Sequence, residues 1–249
     1  MAGRTFAIGD IHGDIEALRR LVGRLPPLDA KDTIVFVGDY VDRGPASAEV
    51  IDFVRRELPG STKAKVIALR GNHEDGWLRV ASGGWPQFVI PAPNGCVATL
   101  RSFTSAARRD GELATKDEID RMLRPTFFPR DVLLWMSGLP FFYEDEHAIY
   151  VHAGLVRENG AWVHPSRVAQ PAILLWVRTM DFFRNYDGKR VVCGHTSTEQ
   201  LPPELSSFTP EDPKDMWVNG SVLAIDTGCG KGGFLTAVEL PSVRVYESR

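Results

Sequence analysis

A chain of 249 residues, 43% hydrophobic and 24% charged, has room for one large α/β core but not comfortably for two, and this composition excludes a disordered, fibrous or membrane-embedded protein. A net charge of −3 with no visible basic patch excludes nucleic acid as a partner. Three widely spaced cysteines, Cys96, Cys193 and Cys229, exclude a disulfide framework and are expected to be reduced thiols packed as small apolar groups.

The N-terminus, MAGRTFAIGDIHG, enters an apolar segment at once with no charged leader or cleavage site, so a cytoplasmic protein is expected. No apolar run reaches the eighteen or so residues of a membrane helix, and no membrane partner is expected. Residues 4–8 read as a buried strand. Residues 14–25 follow as a helix through Ile15, Leu18, Leu21 and Val22, stopped by Pro26 and Pro27, and residues 33–37 form a second strand. Residues 46–58 have the spacing of an amphipathic helix ended by Pro59 and Gly60, and residues 65–69 make a third strand. This β-α-β-α-β alternation predicts parallel strands covered by helices, with ligands gathering at the strands' C-terminal ends.

From residue 75 to about 130 the periodicity loosens into short helices (97–108 and 116–123) and a turn-rich piece (83–95), expected to form a cap or rim on a single domain spanning 1–249. Residues 132–136 read as helix. Strands are expected at 141–143, at 148–151, which delivers His152 into a loop, and at 190–193, which does the same for His195. The polar, proline-containing stretch 201–220 reads as a surface loop, before closing strands at 222–225, 234–238 and 243–246.

The chemistry sits in glycine-bounded strings: GDIHG (9–13), GDYVDRG (38–44), GNHE (71–74) and HAGL (152–155). Asp10 and His12 are two apart, so a chain leaving its strand extended would turn both side chains to one side. Asp39 offers a carboxylate able to bridge two cations, Asn72 an amide oxygen, and His152 and His195 imidazole nitrogens. Oxygen and nitrogen ligands without thiolate favour Mn²⁺, Fe or Zn²⁺ over a structural zinc site. Two such ions about 3.5–4 Å apart can hold a water, acidify it and aim it at phosphorus. His147 and His164 follow no comparable strand and are read as surface or structural residues.

With NGCVATL (94–100), LLWVR (174–178), VVCGHT (191–196) and DTG (226–228), these strings resemble the phosphoprotein phosphatase (PPP) family, in particular its bacterial and phage serine/threonine phosphatases within the calcineurin-like metallophosphoesterases. The resemblance implies an α/β fold, a metallophosphatase-type αββα sandwich of two central mixed β-sheets flanked by helices. It implies two divalent ions, Mn²⁺ foremost. Asp10, His12 and Asp39 would hold one, and Asp39, Asn72, His152 and His195 the other. Arg43 and Arg178 would grip phosphate, and His73, oriented by Asp42, would protonate the leaving oxygen.

Planar guanidinium donors suit the equatorial oxygens of a phosphoryl group, and a carboxylate beside an imidazole keeps it charged and aimed. The substrate implied is a phosphoprotein or phosphopeptide carrying phosphoserine or phosphothreonine, with phosphotyrosine also admitted. A diadenosine tetraphosphate hydrolase is the alternative, since such enzymes share the fold and ligands. They resemble GDLVARGP in the second string and end the third in Asp, whereas this chain keeps Asp42 and Glu74. A catalytically silent binding module is the remaining reading, disfavoured because every ligand and both arginines are present. The SAPNY segment of eukaryotic members has no clear counterpart, only VNGS at 218–221, and the oligomeric state is left open.

Overall fold

The computed structural model describes residues 3–105, 113–208, 212 and 214–249. Its strands are β1 (Thr5–Ile8), β2 (Thr33–Phe36), β3 (Lys65–Ala68), β4 (Phe142–Glu144), β5 (Ile149–Val151), β6 (Arg157–Glu158), β7 (Ala161–Trp162), β8 (Val191–Cys193), β9 (Trp217–Asn219), β10 (Val222–Ala224), β11 (Thr236–Leu240) and β12 (Arg244–Glu247). The helices are α1 (Ile15–Arg24), α2 (Ser47–Asp52), α3 (Leu58–Ser61), α4 (Asn72–Ala81), α5 (Cys96–Thr104), α6 (Lys116–Met122), α7 (Arg130–Gly138) and α8 (Met180–Asn185).

Two five-stranded sheets form, in the orders β12-β11-β1-β2-β3 and β4-β5-β8-β10-β9. In the first, β1, β2 and β3 are parallel and β11 is antiparallel to β1; in the second, β5, β8 and β10 are parallel and β4 and β9 antiparallel. Both sheets are therefore mixed, as expected.

Side-chain alternation explains why they stack. In β1, Phe6 and Ile8 bury against Leu18 and Leu21 of α1 and Val50 of α2, whereas Ala7 enters a separate cluster with Val35, Tyr150, Val192 and Leu223 from both sheets. On the second sheet Ile149, Val151, Val191 and Val222 face outward onto Phe182 and Phe183 of α8. The result is helix, sheet, sheet, helix, with one apolar layer in each gap.

Local signals set most boundaries. Asp14 caps α1 by accepting from Ala17 N at 2.9 Å. The helix expected at 46–58 runs on to Ser61 through a π-helical segment, Phe53–Glu57, whose wider turn, with Leu58 N–H donating to Phe53 O, precedes Pro59. The helix expected at 97–108 ends at Thr104, with Ser105 left-handed at φ 51°, and residues 106–108 lie outside the described residues. The stretch read as surface loop at 201–220 contains β9, which pairs antiparallel with β10 across a turn whose Gly220 has φ 54°. VNGS is thus a hairpin turn.

Phe88, Cys96, Leu100, Met122 and Phe128, from the region expected to form a rim, bury into the same cluster as Phe6 and Leu18. All three cysteines are buried and free. Among the described residues no helix is long and apolar enough to cross a membrane.

Candidate active site

Six parallel strands deliver the site. Asp10 follows β1, Asp39 follows β2, Asn72 follows β3, His152 follows β5 and His195 follows β8, each within four residues of the strand's end, while Asp226 follows β10. Because the two sheets face each other, the C-terminal ends of both sets meet at one edge.

The chain does not leave these strands extended, as the reading of Asp10 and His12 supposed. His12, Asp39, Asp42, Arg43 and His195 all have left-handed φ, of 47°, 57°, 73°, 69° and 65°. Each such residue costs about 1–3 kcal/mol when it is not glycine. Interlocked backbone bonds offset this: His12 N and Ile11 N donate to Asp39 O, Gly13 N to Tyr40 O, and Gly44 N to His12 O. The turns bring the ligands together at closer range than extended segments would. Gly194 shows how close. A Cβ there would lie 1.9 Å from Asp10 Oδ1.

Asp10, His12, Asp39, Asn72, His152 and His195 are all buried and form one cage. His12 Nε2 lies 3.4 Å from Asp39 Oδ2 and 3.9 Å from Asp10 Oδ2. On the other side, His152 Nε2 is 3.5 Å from Asp39 Oδ1 and 2.9 Å from Asn72 Oδ1, which is itself 2.8 Å from His195 Nδ1. Asp39 belongs to both halves. Asp10 accepts from His195 N, tying the first loop to the fifth.

The protonation pattern tests whether cations fit. His12 donates Nδ1–H to Val41 O at 3.0 Å and His152 donates Nδ1–H to Val37 O at 2.9 Å. Burial, joined at His12 by the Arg43 charge, holds both imidazoles below their ordinary pKa against the pull of Asp39, so each ring is neutral and turns its Nε2 lone pair inward. The interior is then lined by carboxylate, amide and imidazole acceptors facing one another, an arrangement that cations relieve. Asp10, Asp39 and His152, and separately His12, Asp39 and His73, hold ligand atoms within 4.8 Å of one another. His and Asp groups are therefore positioned for metal binding, and the set without thiolate suits Mn²⁺, Fe or Zn²⁺ alike.

His73 lies in the first turn of α4 beside this cage. Its Nδ1 bonds Asp42 Oδ2 at 2.6 Å, and its pKa is raised because Asp39 and Asp42 together outweigh burial. Asp42 is wholly buried, and its other oxygen accepts from Trp77 Nε1 at 2.8 Å and Thr99 Oγ1 at 2.6 Å. Arg43 contacts His12 Nε2 through Nη1 and lies 3.2 Å from His73 Nε2 through Nη2. Arg178 stands apart from the cage: exposed, it precedes α8 and has no hydrogen-bond or ion-pair partner among the described residues. Its charge, after burial and His152, helps keep His195 neutral. His147 and His164 bond Gly3 O and Glu144, outside the cage.

Two residues have roles in the site that the sequence reading did not assign. The Glu74 carboxylate accepts from the backbone N–H groups of Asp39, Tyr40, Val41 and Gly71, fastening the Asp39 turn to the start of α4, and burial pushes its pKa up to about 7. GNHE carries the signal, since a Glu three residues after a helix's N-cap reaches back to backbone donors. Asp226, noticed only within a string, is buried near enough to Asp10 to raise its pKa, second to burial itself.

Comparison with known proteins narrows the class. The bis(5'-nucleosyl)-tetraphosphatase, symmetrical, of Dechloromonas aromatica is 26% identical over 98% of this chain and 95% of its own. The asymmetrical bis(5'-nucleosyl)-tetraphosphatase PrpE of Anoxybacillus flavithermus is 28% identical over 95% of this chain and 90% of its own. A solved structure provisionally assigned as a diadenosine tetraphosphatase has TM-score 0.57 at 20% identity, covering 99% of this chain and 93% of that one, a likeness of fold.

The relatives' names overturn the expectation of a phosphoprotein or phosphopeptide substrate, and with it the serine/threonine phosphatase assignment. That assignment leaned on Asp42, whose place among His73, Trp77 and Thr99 reports how one imidazole is held and says nothing about the leaving group. The fold and the placing of His and Asp groups for metal binding stand. With residues 3–199 matching its sequence pattern, the chain belongs to the calcineurin-like phosphoesterase family.

Proposed function

We propose that this chain is a metal-dependent dinucleoside polyphosphate hydrolase, cleaving a phosphoanhydride bond of a bis(5'-nucleosyl) tetraphosphate. The observation that carries the reading is the end-to-end correspondence with the symmetrical tetraphosphatase of Dechloromonas aromatica, over 98% of this chain. In this reading the chain is one domain, with residues 75–105 and 113–130 forming one rim of the cleft. Asp10, His12 and Asp39 hold one divalent ion, and Asp39, Asn72, His152 and His195 hold the second, with Mn²⁺ the preferred metal. Two bound cations supply an acidified water and neutralise phosphate charge.

The chain's own groups do the rest. Arg43 and Arg178 bind equatorial oxygens of the attacked phosphoryl group. Glu74 keeps the Asp39 turn rigid through four backbone bonds. As water adds to phosphorus and the P–O–P bridge breaks, His73, aimed by Asp42, gives its Nε2 proton to the departing oxygen.

The test is hydrolysis of diadenosine tetraphosphate by the Mn²⁺-loaded chain, with products separated by ion exchange. Two ADP mark symmetrical attack and ATP with AMP asymmetrical attack. Cleavage abolished by chelation, with kcat/KM above that for a phosphoserine peptide, is expected. A chain that retains two ions and leaves the dinucleotide intact overturns the proposal.

A further inference from the structure

The cage accounts for phosphate chemistry but holds nothing that recognises the rest of a nucleotide. An aromatic corner adjoins it. Trp176 packs edge-on against His195, with ring centroids 6.1 Å apart and planes at 83°. From a distant part of the chain, Trp85 meets Trp176 at 5.4 Å and 65°. Trp85 in turn touches Phe88 at 5.3 Å, and Phe88 stands 5.6 Å from His73. This aromatic chain therefore runs from the His195 side of the cage to the His73 side. Both tryptophans are only partly buried, unlike Trp77, which is wholly enclosed.

Burial alone does not explain the pair. The 3-10 turns that present them, Pro86–Val89 and Pro171–Leu175, are each bordered or occupied by an exposed large aliphatic residue, Ile90 at 57% and Ile173 at 49% exposure. Large apolar side chains left open on the two separate segments that carry Trp85 and Trp176 mark a ligand surface more than a core. The Arg79 guanidinium, paired with Asp75 at 2.8 Å, stands 5.9 Å from the Trp85 ring and covers one side of it. Two steeply inclined indoles form a corner in which a flat ring can stack on one and meet the edge of the other.

We infer that Trp85 and Trp176 form a nucleobase subsite, holding one base of the substrate while its phosphate chain enters the metal cage. The inference rests on the nucleotide reading above for the identity of the ring. Stacking supplies affinity without reading hydrogen-bond edges, so the corner accepts purines generally and favours them over pyrimidines by ring area. It also makes a base-free phosphoester a weaker ligand.

AMP and ribose 5-phosphate differ only in the base, so the ratio of their inhibition constants against p-nitrophenyl phosphate hydrolysis by the Mn²⁺-loaded chain reads the subsite directly. AMP should bind roughly five- to a hundredfold more tightly, the range for one base stacked on an aromatic side chain. Trp85→Leu or Trp176→Leu should bring the ratio to within about twofold of one, and Trp176→Phe should restore most of it, with metal content unchanged throughout. Equal constants in the wild-type chain overturn the inference without any variant, as does a ratio that survives both leucine substitutions. A large Trp-dependent ratio in a chain that cleaves no dinucleotide would sink the proposed activity and leave the base subsite standing.

Discussion

Asp42→Asn tests the proton-donor role proposed for His73 separately from the cage. The carboxylate is wholly buried, with Trp77 Nε1 and Thr99 Oγ1 on Oδ1 and His73 Nδ1 on Oδ2 at 2.6 Å. Asparagine can keep Oδ1 and its two donors while presenting an NH₂ to His73, which must then switch tautomer and accept at Nδ1. Replacing the charge-assisted bond by a neutral one costs about 1–2 kcal/mol, and at roughly 2–4 °C per kcal/mol for a chain of this size Tm should fall by about 2–8 °C. The chemical loss is larger. Deprived of one of the two carboxylates that raise its pKa, His73 carries its proton less often at neutral pH. Losing a general acid costs about 10²–10⁴ in rate, and the lower end applies because a departing nucleotide phosphate is a weak base. The assay is kcat/KM for diadenosine tetraphosphate across pH in Mn²⁺, with bound metal measured on the same samples. A variant within about threefold of wild type, with the same pH profile, would refute His73 as the acid.

Gly194→Ala should lower bound metal below two ions per chain, because the new Cβ would lie 1.9 Å from Asp10 Oδ1 and 3.0 Å from Val37 Cγ2; wild-type stoichiometry and affinity by titration would show that Asp10 is no ligand. Arg178→Ala should leave metal content and Tm unchanged, since the side chain is exposed and unpaired among the described residues, yet lower kcat/KM about 10²–10³-fold. Unchanged kinetics would remove it from the phosphate clamp. Arg101 Nε and Nη2 grip Glu118 at 2.7 and 3.1 Å and hold its carboxyl at about 2, below its ordinary 4.5. A depressed folded pKa stabilises above the unfolded value, so Glu118→Gln should cost about 1–2 kcal/mol at pH 7. That difference should shrink as pH falls from 4.5 toward 2. A difference constant over that range in urea melts would show that the ion pair contributes nothing.

Local chemistry was legible from the sequence because it is written locally. Apolar runs such as TFAI and TIVF marked β1 and β2, Pro26 ended α1, and the residue types of GDIHG, GDYVDRG and GNHE announced oxygen and nitrogen ligands at strand ends. β9 went unseen because Trp217–Asn219 closes a proline-containing, polar stretch that reads as loop, and its three residues gain their stability from pairing with β10. The left-handed turns at His12, Asp39 and His195 were hidden for a related reason: they persist through bonds to remote backbone.

The sequence by itself determined the class of chemistry, a cage of Asp, Asn and His side chains for metal-assisted attack on phosphorus, because ligand type is a property of single residues. Only the tertiary structure decided what surrounds that cage. Glu74 acquires four backbone donors, Asp42 becomes a hub shared with Trp77 and Thr99, and Trp85 reaches Trp176 across about ninety positions of chain. Each of these depends on distance between segments remote in sequence, a quantity set by how the two sheets stack and where their helices and turns return.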